Sequence, residues 1–138
     1  MDDCIFCQIV AGDIPSHTVY EDDDVLAFLD ANPLAPGHTL LIPKDHHETL
    51  EDLPPDTGSM LFTALHNLTP TVEAAVDAPA STVAFNNGEV AGQEVPHVHA
   101  HVVPRFEDDG GRPIHALVSD RPDLSDDELD DIAAKIRV

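Results

Sequence analysis

The chain has 138 residues, 42% of them hydrophobic, and carries 27 acidic side chains against 6 Lys and Arg, a formal net charge of -21. That length suits one core, and the charge excludes partners held through cationic contacts, namely nucleic acid and anionic membrane surfaces. The hydrophobic content and periodic segments argue against an acidic disordered polymer; salt relieves the self-repulsion of so acidic a surface, so we expect a folded protein of halophilic origin.

The start, Met1-Asp2-Asp3-Cys4, has no basic or apolar leader pattern, and no apolar run is long enough to span a membrane, so the expected location is the cytoplasm. Cys4 to Gly12 reads as a short helix ended by Gly12 and Pro15. Strand patterns follow at Thr18–Glu21 and Val25–Leu29, joined by a turn at Asp22, Asp23 and Asp24, and a third at His38–Ile42, stopped by Pro43. A short helical turn is expected over Glu48–Leu53. The main helix is predicted over Pro55–Asp77, where Met60, Leu61, Ala64, Leu65, Leu68, Val72, Ala75 and Val76 fall at helical spacing, with a kink or shift at Pro70. Ser81–Phe85 is a fourth strand and His97–Val103 a fifth, connected antiparallel through the Gly-rich loop Asn86–Gly92. The tail helix, about 125–137, opens on a capping box of Ser125 and Glu128 and carries the stripe Leu129, Ile132, Ala133 and Ile136. No internal repeat or second domain is visible. The pattern is α+β: a five-stranded, mainly antiparallel sheet with one long and several short helices, the helices on one side.

The fifth strand carries the chemistry. In Pro96-His97-Val98-His99-Ala100-His101-Val102-Val103-Pro104-Arg105, alternate residues share a face. His97, His99 and His101 therefore line one side while Val98, Ala100 and Val102 pack behind. Such a row suits an elongated ligand such as a phosphate chain. It does not suit one metal ion, because Zn–N bonds are only about 2 Å long. The alternative is a His-rich surface strand without a ligand. Cys4 and Cys7 are too few and too close for a disulfide framework. No βαβ unit surrounds them as a redox pair would require, and free surface thiols are one reading.

These residues do not stand alone. Cys4-Ile5-Phe6-Cys7, Ile14-Pro15-Ser16, Tyr20-Glu21-Asp22, Ala27-Phe28-Leu29-Asp30, Pro36-Gly37-His38-Thr39-Leu40-Leu41-Ile42-Pro43-Lys44, Asn86 with Gly88, Gly92-Gln93-Glu94-Val95 and the triad itself occur in that order. The set resembles the histidine triad (HIT) superfamily of nucleotide hydrolases and transferases, and within it the prokaryotic branch related to nucleoside phosphoramidases. The resemblance implies a single HIT domain over 1–138. It implies His99 as nucleophile at the α-phosphate of a purine nucleotide, forming a nucleotidyl-histidine that water cleaves. The free ring nitrogen of His99 then needs a fixed acceptor, such as the carbonyl of His97, to set its tautomer.

By the same resemblance His101 and His38 reach phosphate oxygens, Gln93 donates beside the α-phosphate, and Asp30 accepts from ribose hydroxyls. Asn86 and Gly92 lie near ribose and phosphate, and Phe6 and Phe28 flank the base, although apolar residues of this kind serve a core equally well. Glu94 bears on the leaving group, since a carboxylate beside a phosphate repels it unless protonated, turned away or engaged with a cation. Cys4 and Cys7 with His46 and His97 match a structural Zn2+ site, with His47 a rival for His46, and Cys2His2 is an acceptable tetrahedral set. No organic cofactor is implied, and relatives of this kind form homodimers. Substrates implied are nucleoside 5′-phosphoramidates or related adenylates. The alternatives are a dinucleoside polyphosphate hydrolase and a non-catalytic nucleotide- or zinc-binding regulatory module.

Overall fold

A computed structural model describes residues 3–138, so the reading of a leader at Met1 and Asp2 lies outside the described residues. The elements are α1 (Ile5–Val10), β1 (Thr18–Glu21), β2 (Val25–Leu29), β3 (Thr39–Pro43), α2 (Pro55–Ala75), β4 (Ala80–Ala84), β5 (Ala100–Arg105) and α3 (Asp126–Ile136), with 3-10 turns at Leu50–Asp52, Glu89–Ala91 and Ile114–Ala116. The strands form one sheet in the order β1-β2-β3-β5-β4, every pair antiparallel, as the α+β pattern requires. The β1–β2 turn works without an Asn-Gly pair because the carboxylate of Asp22 accepts from the N–H groups of Asp24 and Val25, each at 2.8 Å.

The sheet is covered on both faces. Val25, Ala27, Leu41, Val98, Ala100 and Val102 pack against Leu61, Ala64, Leu65 and Val72 of α2. On the opposite face Leu26, Phe28, Leu40 and Ile42 pack against Cys4 and Phe6 at the start of α1. The expectation of helices on one side is therefore corrected. The unbroken apolar run of β2 is the local sign, because a strand with one solvated face would alternate.

α2 starts at Pro55 as expected, and Pro70 does not interrupt it. Pro70 and His66, the residue whose carbonyl loses a backbone partner there, both lie on the exposed side of the helix, where such a loss is tolerated. β5 is shorter than the sequence suggests. It begins at Ala100, because the N–H of Val98 donates to the His47 carbonyl (2.7 Å) and that of His97 to Val95 (2.8 Å), outside the ladder. The alternation survives: Val98, Ala100 and Val102 are buried toward α2 while the three imidazoles face α1. α3 has the predicted capping box, with the Glu128 N–H donating to Ser125 Oγ. Every residue from 107 to 138 is exposed, so its apolar stripe faces solvent. Among the described residues no helix is long and apolar enough to cross a membrane.

Candidate active site

The triad imidazoles are held by a chain of hydrogen bonds that settles where each proton resides. His99 donates from Nδ1 to the carbonyl of His97 at 2.7 Å. Its Nε2 is therefore unprotonated in the neutral ring and carries a lone pair. The N–H of Leu34 donates to Nδ1 of His38 at 3.1 Å, so the proton of His38 sits on Nε2. That Nε2–H donates to Nδ1 of His101 at 3.0 Å, leaving His101 with Nε2–H as its free donor. Asp30 lies 3.6 Å from His38 Nε2 and favours the same arrangement. Burial, then the neighbouring His99 and His38 charges, push His101 down to about 4. Burial lowers His38 as well, against the opposing pull of Asp30. The two rings are thus neutral near pH 7, as the hydrogen-bond chain requires.

A cleft of about 600 Å³ opens over this face, a size that suits a small ligand such as a mononucleotide. Of the residues singled out from the sequence, Phe6, Phe28, Asp30, His38, Asn86, Gly92, Glu94, His99 and His101 all line it. Phe6 stands edge-on to His99 with ring centroids 5.1 Å apart and to Phe28 at 5.5 Å, so α1 supplies the wall beside the nucleophile. Glycine is required at position 37, next to His38. Its φ is +86°, and a Cβ there would meet Val76 Cγ1 at 3.0 Å.

Gln93 is placed differently from the expectation. Its amide nitrogen donates to the carbonyls of Glu48 (2.6 Å) and Val95 (2.9 Å), and its oxygen accepts from the Gly88 N–H (2.8 Å). Both amide protons are spent on backbone, and the side chain braces the Gly88–Val95 loop instead of lining the cleft. The amide thereby ties the loop both to itself, at Gly88 and Val95, and to the distant Glu48 carbonyl, backbone groups that would otherwise be left to other partners. Sequence reasoning also passed over His17 and Leu34, both on the cleft. Nothing in the sequence marks them, since their places depend on how the loops flanking β2 fold over the sheet.

His97 is fully buried and faces away from the cleft, toward the cysteines. Its Nδ1 lies 3.4 Å from Cys4 Sγ and 3.5 Å from Cys7 Sγ, and His46 Nδ1 lies 3.3 Å from Cys7 Sγ. All four donor atoms fall within 4.8 Å of one another. A tetrahedral zinc with its usual bond lengths places sulfur and nitrogen about 3.6 Å apart, so these spacings fit. The tautomer fits too: His97 donates from Nε2 to the Pro43 carbonyl at 2.8 Å, which turns its Nδ1 lone pair to the sulfurs. Among the described residues His46, and not His47, brings its donor atom into this cluster. Burial and the adjacent Cys4 push the Cys7 thiol up to about 11, the condition a bound cation would reverse. Asp30, His38 and His101 also bring donor atoms together. They are a poor metal site, because a proton already lies between His38 Nε2 and His101 Nδ1 and Leu34 occupies the other nitrogen of His38.

The chain is similar in sequence and fold to known proteins. Residues 11–108, well over half of the chain, match the HIT domain model. A solved protein of Streptococcus mutans is 40% identical with a TM-score of 0.88, covering 99% of this chain and 85% of its own. A zinc-bound histidine triad family protein from Mycobacterium smegmatis is 39% identical with a TM-score of 0.75, covering 79% of each chain. An Arabidopsis thaliana protein named adenylylsulfatase is 40% identical over 107 residues, which are 78% of this chain but only 54% of that protein. On the family match and the full-length likeness together, the chain belongs to the HIT family.

Proposed function

We propose that the protein is a nucleotide hydrolase or nucleotidyl transferase that cleaves at the α-phosphate of purine nucleoside 5′-phosphoramidates or related adenylates. The observation that carries this reading is the bond from His99 Nδ1 to the His97 carbonyl at 2.7 Å, which orients Nε2 toward the cleft as the nucleophilic nitrogen. Nε2 forms a bond to the α-phosphorus as the bond to the leaving group breaks, and a leaving amine takes up a proton from solvent water. Water then cleaves the nucleotidyl-imidazole and frees His99. His101, through Nε2–H, donates to a phosphate oxygen, and His38 holds that tautomer. Asp30 receives ribose hydroxyls, Phe6 and Phe28 flank the base, and Asn86 and Gly92 border ribose and phosphate. Gln93 acts one step removed, through the loop it braces.

Cys4, Cys7, His46 and His97 would hold a structural zinc that fastens α1 to the triad segment. The zinc-bound Mycobacterium smegmatis relative supports this, as the adenylylsulfatase name of the Arabidopsis relative supports adenylate chemistry. We read the chain as one HIT domain, cytoplasmic, halophilic and homodimeric; the exposed stripe of α3 and exposed Met60 and Phe62 of α2 suit a partner copy.

The test is AMP release from adenosine 5′-phosphoramidate in concentrated KCl, comparing wild type with His99→Asn, with AMP binding measured on both. Release by wild type alone supports the assignment. Binding of AMP without release by either points to the regulatory module, or to a dinucleoside polyphosphate hydrolase if a diadenosine polyphosphate is cleaved instead.

A further inference from the structure

We propose that Cys4 and Cys7 close into a disulfide when a hydroperoxide oxidises the chain, and that closure empties the cysteine–histidine cluster of zinc and weakens nucleotide binding; this rests on reading the cluster as a zinc site and the cleft as a nucleotide site. The chain has two cysteines in all, and both are free. Cys4 is the N-cap of α1 and Cys7 the third residue of its first turn. The Cys7 N–H donates to Cys4 Sγ at 3.4 Å, which holds that sulfur over the turn. Side chains three apart on a helical turn are neighbours, and these sulfurs lie within 4.8 Å of one another. An S–S bond is about 2 Å long, so closure needs rotation of the side chains rather than refolding of α1.

A bridge over so short a loop adds little to the stability of the fold. What it changes is where the sulfurs point. As thiols they face two imidazoles: Cys4 Sγ lies 3.4 Å from His97 Nδ1, and Cys7 Sγ lies 3.5 Å from the same atom and 3.3 Å from His46 Nδ1. A disulfide sulfur offers a metal no thiolate. The cluster then keeps two nitrogens of a tetrahedral four and no longer retains zinc.

Cys7 is half-buried and Cys4 buried, so a peroxide meets Cys7 first. The Cys7 thiolate attacks one peroxide oxygen, the O–O bond breaks, and hydroxide departs to leave a sulfenic acid. The Cys4 thiolate attacks that sulfur, the S–O bond breaks, and a second hydroxide departs as the disulfide forms. The sulfur pair gives up two electrons, the peroxide takes them, and two solvent protons convert the hydroxides to water.

Three contacts carry the change to the cleft. His97 is fully buried, so its Nδ1 loses its partner in a place closed to solvent, while its carbonyl is the acceptor that fixes His99. Phe6 sits between the cysteines in sequence and stands edge-on to His99. His46 lies two residues before Glu48, whose carbonyl accepts from Gln93, the brace of the loop that brings Gly92 to the cleft.

The test treats the zinc-loaded full chain with hydrogen peroxide in concentrated KCl. It follows alkylatable thiols and intact mass, zinc freed to a chromogenic chelator, and AMP affinity by calorimetry. We expect both thiols to vanish within a monomer, zinc to be freed in step, and AMP to bind about tenfold more weakly, as for one buried polar group left unpaired. Dithiothreitol with added zinc should restore all three and return two hydrogens to the mass. Met60 is exposed and forms a sulfoxide too, but dithiothreitol does not reverse that, so reversal assigns the effect to the cysteines. A disulfide between chains, a sulfinic acid in place of a disulfide, zinc retained after closure, or unchanged AMP affinity would overturn the switch. A chain that takes up no zinc before oxidation would instead refute the zinc site, and one that binds no AMP the nucleotide reading; either removes the switch with it.

Discussion

His97 and His99 are joined by a 2.7 Å hydrogen bond in which the backbone carbonyl of the first fixes the ring of the second, while the ring of His97 lies against two thiols. The candidate metal site and the candidate nucleophile thus share one residue. Phe6, between Cys4 and Cys7 in sequence, touches both rings edge-on. Anything that loosens the cysteine cluster should be felt at His99.

Replacing Cys7 with Ser is therefore expected to do three things together. Zinc content measured by mass spectrometry should fall from near one per chain. The melting temperature should drop by at least about 5 °C, since a metal bound only by the folded state stabilises it. AMP affinity should weaken as α1 loses its tether. A variant that lost zinc yet bound AMP as tightly as wild type would show that the two sites are uncoupled.

Gln93 offers a sharp distinction between bracing a loop and touching phosphate. Because its amide is committed to Glu48, Val95 and Gly88, Gln93→Ala should lower stability by about 1–3 kcal/mol, the cost of leaving such groups unpaired. Hydrogen exchange over residues 88–95 should accelerate. A large fall in kcat with unchanged stability and exchange would place the side chain on the substrate instead.

Acid should unfold the protein partly through its histidines. His101 and His38 have folded-state pKa values below the ordinary value of 6.5. The unfolded chain therefore binds more protons as pH falls below about 6.5, and stability decreases toward pH 4, where His101 itself titrates. Melting temperatures of wild type and His101→Gln, measured from pH 7 to pH 4, should converge as pH falls. A constant difference would mean that His101 titrates normally.

The surface predicts a salt requirement. With a net charge of -21, raising KCl should raise the melting temperature and shift light scattering toward a dimer, because screening weakens repulsion within and between chains. A melting temperature indifferent to KCl would remove the argument for a halophilic origin.

Much of the site is written in local pattern. Alternation from His97 to Val102 was enough to place three imidazoles on one face and Val98, Ala100 and Val102 in the core, because strand side chains alternate wherever the backbone is extended, even where ladder pairing fails at His97. Ser125 with Glu128 predicted the start of α3, and Pro55 that of α2, since capping and proline act within one turn. The ordered motifs from Cys4 to Arg105 pointed to the family and to its four cysteine and histidine positions.

Tertiary structure decided what depends on distant partners. His46 and not His47 stands beside Cys7, and α1 took the face opposite α2 because β2 is apolar on both sides. Gln93 turned into its own loop to satisfy backbone groups no side-chain pattern announces. The protonated nitrogens of His38 and His101 were set by the N–H of Leu34. Each is a hydrogen-bond or packing competition, some across one loop (Leu34 with His38, Gln93 with Gly88) and some between distant elements (α1 with β2), and only the folded backbone brings those competitors together.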